Sequence, residues 1–273
     1  MRVCNSIYSE LVKIGYVMMY AMRSFLIFSF LFLLTVPSTS FAQSGEGKDM
    51  YSRRSSSIIR SMKQAEQQYD GFWKDLNQGR LDEGDYYLTM VSLKSYYQHT
   101  SFYEADSDKL VDQLMQYAFK YDTQEDPLEA NKALYEYNDF LRKHITDIQV
   151  LYMAYNLSRQ DASFGNSMHM EKLVKALEQT IFTNRESRGF RPEDAHIVSN
   201  YGEEKFILQS QGLEILEKET YEPNIGIFYS VYDVRDPKTD EEYKIFMDSS
   251  IPHNAMEKKA ILEKESKPIV PKL

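Results

Sequence analysis

The chain has 273 residues, with 32 basic and 41 acidic side chains, a formal net charge of −9 and a single cysteine. An acidic balance of this size exerts no electrostatic pull toward nucleic acid or an anionic membrane surface. One cysteine, Cys4, allows neither an intrachain disulfide nor a multi-cysteine zinc site.

From Met22 the sequence runs "MRSFLIFSFLFLLTVPSTSFAQ". It has Arg23 as a short basic start, an apolar block of 12 residues from Phe25 to Val36, and small residues at Ser40 and Ala42. That pattern predicts a signal peptide over 1–42, cleaved after Ala42. The block falls short of the roughly 20 apolar residues a membrane-spanning helix needs. Extending it upstream through "IGYVMMYA" would make an anchor, but would place Arg23 in lipid at a cost. Translation from Met22 is the simpler account of residues 1–21. Cleavage would remove Arg2, Lys13, Arg23, Glu10 and Cys4, taking the net charge from −9 to about −11. The remaining chain would be exported, periplasmic or extracellular, free of cysteine and without a membrane span. It would keep no cysteine for a lipid anchor.

After a flexible linker over 43–54, apolar spacing predicts a helical domain over 55–185. Ile58, Ile59, Met62, Ala65, Tyr69, Trp73 and Leu76 recur every three to four residues, and Gly79 ends the run. Thr89 is expected to cap a second helix. Asp106 or Ser107 starts a third, and Asp126 followed by Pro127 starts a fourth, because an aspartate cap before proline suits the first helical turn. Two more helices follow, around Ile148–Leu157 and Met170–Phe182. Short helices joined by brief polar links suggest antiparallel pairs stacked in a tetratricopeptide-like way, although no clean 34-residue repeat aligns. Beyond Gly189 the pattern changes to a small region over 186–254. It comprises a strand near Ala195–Ser199, a short helix at "YGEEKFILQS", an alternating strand at "GLEILEKETY" and a hairpin around "RDPKTDEE". Residues 255–273 are expected to be a mobile tail. The fold class is therefore α+β, an antiparallel helical array followed by a small antiparallel sheet with one short helix.

The stretch "HIVSNYGEEKFILQSQGLEILEKE", followed by "YDVRDPKTDEEYKIFMDSSIP", resembles an uncharacterised bacterial secreted family known as domain of unknown function 4919. The features that carry the resemblance fall on Val198, Glu203 and Glu204, Gly212, and Phe246 to Ser249. Two departures are visible: Gly189 stands alone where the family has a glycine-rich step, and "SLKSYYQHTSFY" lacks a turn glycine. The resemblance implies an exported bacterial protein and supplies no catalytic residues.

Chemistry-bearing motifs are absent from the sequence. His99, His144, His169, His196 and His253 are scattered, with no spacing that puts two ligands on one helix face, so no metal and no cofactor is expected. No nucleophile elbow, Walker loop or dinucleotide glycine pattern occurs. Three weak groupings remain. Asp233 and Asp248 in the hairpin strands, with Glu204, are candidate catalytic carboxylates for a hydrolase of envelope polymers. Arg188, Arg191 and His196, with Glu193 and Asp194, form a candidate anion-binding or acid-base cluster. Tyr96, Tyr97 and Tyr103 are candidate binding residues of an aromatic groove for a sugar or peptide, since tyrosine offers an apolar face with a polar tip. The bland accounts are strand-end carboxylates bonded to backbone or to Lys244, tyrosines packing helix on helix, and an inter-domain loop capped by Asp194. Lacking a catalytic motif, the chain is expected to be a binding or scaffold protein for a peptide, glycan or partner protein, with the hydrolase as the alternative. A purely structural accessory subunit is the third possibility.

Overall fold

A computed structural model describes residues 47–77, 81, 83–182 and 188–266. The chain divides into two compact units after Tyr51, the larger being Ser52–Leu273. The expected signal segment 1–42 and the glycine expected to end the first helix, Gly79, lie outside the described residues.

Six helices come first: α1 (Gly47–Asn77), α2 (Glu83–Tyr97), α3 (Ser107–Asp122), α4 (Pro127–His144), α5 (Ile148–Gln160) and α6 (Ser167–Phe182). Aspartates open three of them. The Asp106 carboxylate accepts from the backbone N–H groups of Asp108 and Lys109, Asp126 accepts from Leu128 ahead of Pro127, and Asp147 accepts from Gln149 and Val150. Each satisfies donors that a helix start leaves unpaired, worth about 1 kcal/mol per cap. In the packing, α3 lies along α4, α5 along α6, α2 against α6, and α3 against α5.

The second part comprises β1 (His196–Ile197), α7 (Tyr201–Gln211), β2 (Glu214–Asn224), β3 (Ile227–Asp236), β4 (Glu241–Asp248) and α8 (Ser250–Ser266). Gly212 closes α7 at φ 72°, a left-handed conformation that glycine adopts without a Cβ penalty, and its N–H reaches back to the helix carbonyls. The β3–β4 connection turns on Asp236, whose carbonyl accepts from Thr239 and Asp240 and whose carboxylate accepts from Lys238 N–H. The sheet order is β1-β4-β3-β2. It is mixed rather than antiparallel: β2, β3 and β4 form an antiparallel meander, but β1 pairs parallel with β4, His196 beside Met247. The long excursion through α7, β2 and β3 gives the chain room to return in the parallel sense.

A mixed helix-and-sheet architecture is what the sequence leads one to expect; three boundaries differ. The second helix begins at Glu83 and not at Thr89. Residues 47–54, expected as linker, are the first turns of α1. The expected tail from Ala255 is helical as far as Ser266, while 267–273 lie outside the described residues. One continuous core runs through both parts, with Tyr69, Leu93, Leu114, Tyr137, Leu151 and Leu177 from the helices and Val198, Ile207, Val234, Ile245 and Met247 from the sheet region.

Candidate functional site

Two places gather polar groups against apolar surroundings. The first is a groove of about 530 Å³ between α1, the link from α2 to α3, and α8. Its walls are mostly apolar: Ile58, Ile59 and Met62 from α1, Tyr103 and Ala105 from the link, and Met256 from α8. Ile59 remains 48% exposed and Met256 41%, so this apolar surface is open to solvent.

The link is held still. The N–H groups of His99 and Thr100 bond to the carbonyls of Tyr96 and Tyr97 at 2.9 and 3.0 Å. The Thr100 hydroxyl donates to Tyr97 O at 2.7 Å, and Glu66 of α1 accepts from both the N–H and the hydroxyl of Ser101. Its one acidic lining group, Glu104, is bound to Lys109 of α3 at 3.0 Å and Lys259 of α8 at 3.1 Å. Burial works to raise the Glu104 pKa, but the two lysines outweigh it and hold the group below the usual carboxylate value. Lys258 is different. It has neither an ion pair nor a hydrogen bond among the described residues, and it faces His99, whose pKa is pushed down first by burial and then by the Lys258 charge.

The second place is the entrance to α7. Asn200 caps the helix, accepting from Glu203 N–H at 3.0 Å. Glu203 reaches back to Ser199 N–H at 2.8 Å, and its other oxygen lies 2.8 Å from the Lys94 ammonium of α2. Glu204 accepts from the Tyr232 hydroxyl at 2.6 Å and from Lys218 at 2.9 Å. Ser107, the first residue of α3, donates to Asp147, and Tyr103 donates to Ser199 O at 2.5 Å. Burial pushes the Asp147 pKa up to about 6, against the lowering pull of the Ser107 hydroxyl and of the backbone donors it caps. Asp147, Glu203 and Glu204 are 0% exposed, so no substrate reaches them, and each carboxylate is engaged with groups from another element. The arrangement ties α2, α3, α5 and α7 to the sheet.

The residues singled out from sequence fall mostly outside the groove. Asp233 pairs with Lys244 in the β3–β4 register, whereas Asp248 stands opposite Tyr229, four residues away along β3 or roughly 13 Å. Asp248 accepts from the N–H and hydroxyl of Ser250 at the start of α8, and Glu204 is sealed beneath Tyr232. These three carboxylates do not converge. Arg188 and Arg191 are exposed on a loop in which Asp194 accepts from Arg191 N–H at 2.7 Å, and His196 packs against Gly189. Tyr97 is fully buried with its hydroxyl 2.8 Å from His144 Nδ1, and Tyr96 stacks on Phe72. Tyr103 alone of the six reaches the groove. Lys258 lies in no motif and His99 stands out in the sequence only as one of five scattered histidines, because the segments that join at the groove are separated by tens of residues and more. No group of three or more metal-ligating side chains comes together among the described residues, and no described helix is long and apolar enough to cross a membrane. No family model matches the chain, and neither a curated protein nor a solved structure matches it.

Proposed function

We propose that this chain is an exported binding protein whose ligand seats in the groove between α1 and α8. The observation that carries the reading is the open, mostly apolar cleft of about 530 Å³, within the range of small-ligand sites, beside a lysine with no partner among the described residues. Exposed apolar side chains gathered in a concavity lose solvation free energy until something covers them. The neighbouring helix pairs α3 with α4 and α5 with α6 act as a stiff support, stacked in the tetratricopeptide-like manner that the sequence suggests. Export follows from the leader pattern over 1–42, and the likeness to domain of unknown function 4919 belongs to the same proposal.

The test is native mass spectrometry of the chain from Gln43, incubated with an envelope extract of the producing cell, beside the Ile59→Glu variant. A bound species present on the wild type and lost from the variant is the expected result. Binding that survives Ile59→Glu would overturn the groove as the site. Material isolated from the producing cell should begin at Gln43, and an intact Met22 would remove the export part of the proposal.

A further inference from the structure

The polar groups that could read a ligand at the groove are few, and most are already spent. Thr100 and Ser101 give their hydroxyls to Tyr97 O and Glu66, and the Gln98 amide donates to Ser95 O at 3.2 Å. Glu104 is saturated by Lys109 and Lys259. A sugar, whose hydroxyls demand many directed partners, would leave most of them unpaired here. The charge that remains is positive, on Lys258, which lines the same groove as His99 and acts on it electrostatically. With Glu104 taken up by two lysines, an ammonium unpaired among the described residues, beside an imidazole whose pKa is pushed down, is a local inversion of sign in a chain of net charge −9. The adjoining walls of Ile58, Ile59, Met62 and Met256 can follow a flexible chain, since methionine adapts its shape to what it meets.

Resting on the groove reading above, we infer that the ligand is a single-chain amphiphile with an anionic head, its apolar chain along α1 and α8 and its carboxylate or phosphate at Lys258 and His99. The head offers Lys258 the counter-charge it otherwise lacks, and the chain covers the exposed isoleucine and methionine surface. Carboxylate and phosphate heads share this chemistry.

Isothermal titration of the chain from Gln43 with dodecanoate, dodecyl phosphate, dodecanol and acetate, each below its aggregation concentration, tests the assignment. One equivalent of dodecanoate or dodecyl phosphate should bind, whichever is tighter naming the head, with dodecanol several-fold weaker and acetate undetected. Lys258→Glu should weaken the better anion by roughly fivefold to tenfold, the scale of one partly desolvated ion pair and its reversal, and leave dodecanol unchanged. Ile59→Glu should abolish all binding. Equal affinity for dodecanoate and dodecanol, untouched by Lys258→Glu, would overturn the anionic head while leaving the groove as a site. Failure of all four probes, with an extract species still lost on Ile59→Glu, would overturn the amphiphile alone. Failure of the probes together with an extract species that ignores Ile59→Glu would remove the groove itself. An acidic peptide that displaces the amphiphile and binds more tightly, with the same dependence on Lys258, would replace this assignment.

Discussion

The entrance to α7 and the groove beside α8 both place charge next to apolar surface, and they treat it in opposite ways. At the α7 entrance Glu203 and Glu204 are 0% exposed and are met by Lys94, Ser199, Tyr232 and Lys218. At the groove Lys258 is exposed and has no such partner among the described residues. A buried charge has to be compensated when the chain folds, because desolvation costs several kcal/mol per ion. An exposed one can wait for a partner, because water solvates it meanwhile. The same two ingredients therefore stabilise the fold in one place and stand open to solvent in the other.

That contrast can be broken from either side, and the largest effect belongs to the α7 entrance. Glu203→Ala leaves the Lys94 ammonium, 13% exposed, and Ser199 N–H without their acceptor, and should cost about 3–5 kcal/mol in urea unfolding. A loss below 1 kcal/mol would show that the charge is not compensated by this contact.

The pH dependence comes next. The Asp147 pKa stands at about 6 in the folded chain against 3.8 for an ordinary aspartate, so between those values the folded state holds a proton that the unfolded state has released. This group's contribution to stability consequently rises as pH falls from 6 to 4. His144 runs the other way: burial, then the Lys143 charge, lowers its pKa from 6.5 to about 4, so the unfolded chain gains a proton over that window and stability falls toward acid. His99, His169 and His196, lowered chiefly by burial, act in the same direction as His144. Asp147→Asn keeps a cap on α5 but removes the opposing slope. The acid loss between pH 6.5 and 4 should steepen by roughly 2 kcal/mol in chemical unfolding across that range. An unchanged slope would place Asp147 in water.

Gly202 gives a smaller, steric probe of the same junction. A Cβ there would meet the Ser107 hydroxyl and lie 2.6 Å from Ser107 Cβ, so Gly202→Ala should cost about 1–3 kcal/mol. Ser107→Ala should fail to relieve it, since the Cβ contact persists, whereas Ser107→Gly should relieve part of it. The smallest effects belong to the groove, where Lys258→Glu and Ile59→Glu should change stability by no more than about 0.5 kcal/mol, as exposed positions do. A large loss at either would make the groove part of the fold rather than a site.

Much of the frame was legible in the sequence because short-range chemistry writes it. Asp106, Asp126 ahead of Pro127, the stripe through Tyr69 and Leu76, and the turn at Asp236 each act within a few residues. The buried stripe of Met90, Leu93 and Tyr97 is readable in α2 but its start is not: Leu88 and Val91 are exposed apolar residues on the other sides, which blurs where the stripe begins at Tyr86. The stretch from Ala255 reads as a tail because of its five lysines and its prolines, Pro268 and Pro271, yet those prolines lie beyond the helix, and Lys, Glu, Ala and Leu are good helix formers. The tyrosines around Tyr97 signalled a contact surface, but sequence cannot tell an inner surface from an outer one, and Tyr97 turned inward. The groove was least visible of all, because tertiary packing assembles it from segments that carry no motif of their own.

Hydrogen exchange of the chain from Gln43, with and without saturating dodecanoate, would locate the ligand. Exchange should slow only at residues 58–62, 98–105 and 255–259, with the α7 entrance, already protected, unchanged. Protection that appeared on the β2 edge or the 188–196 loop and spared those three segments would contradict the groove as the site.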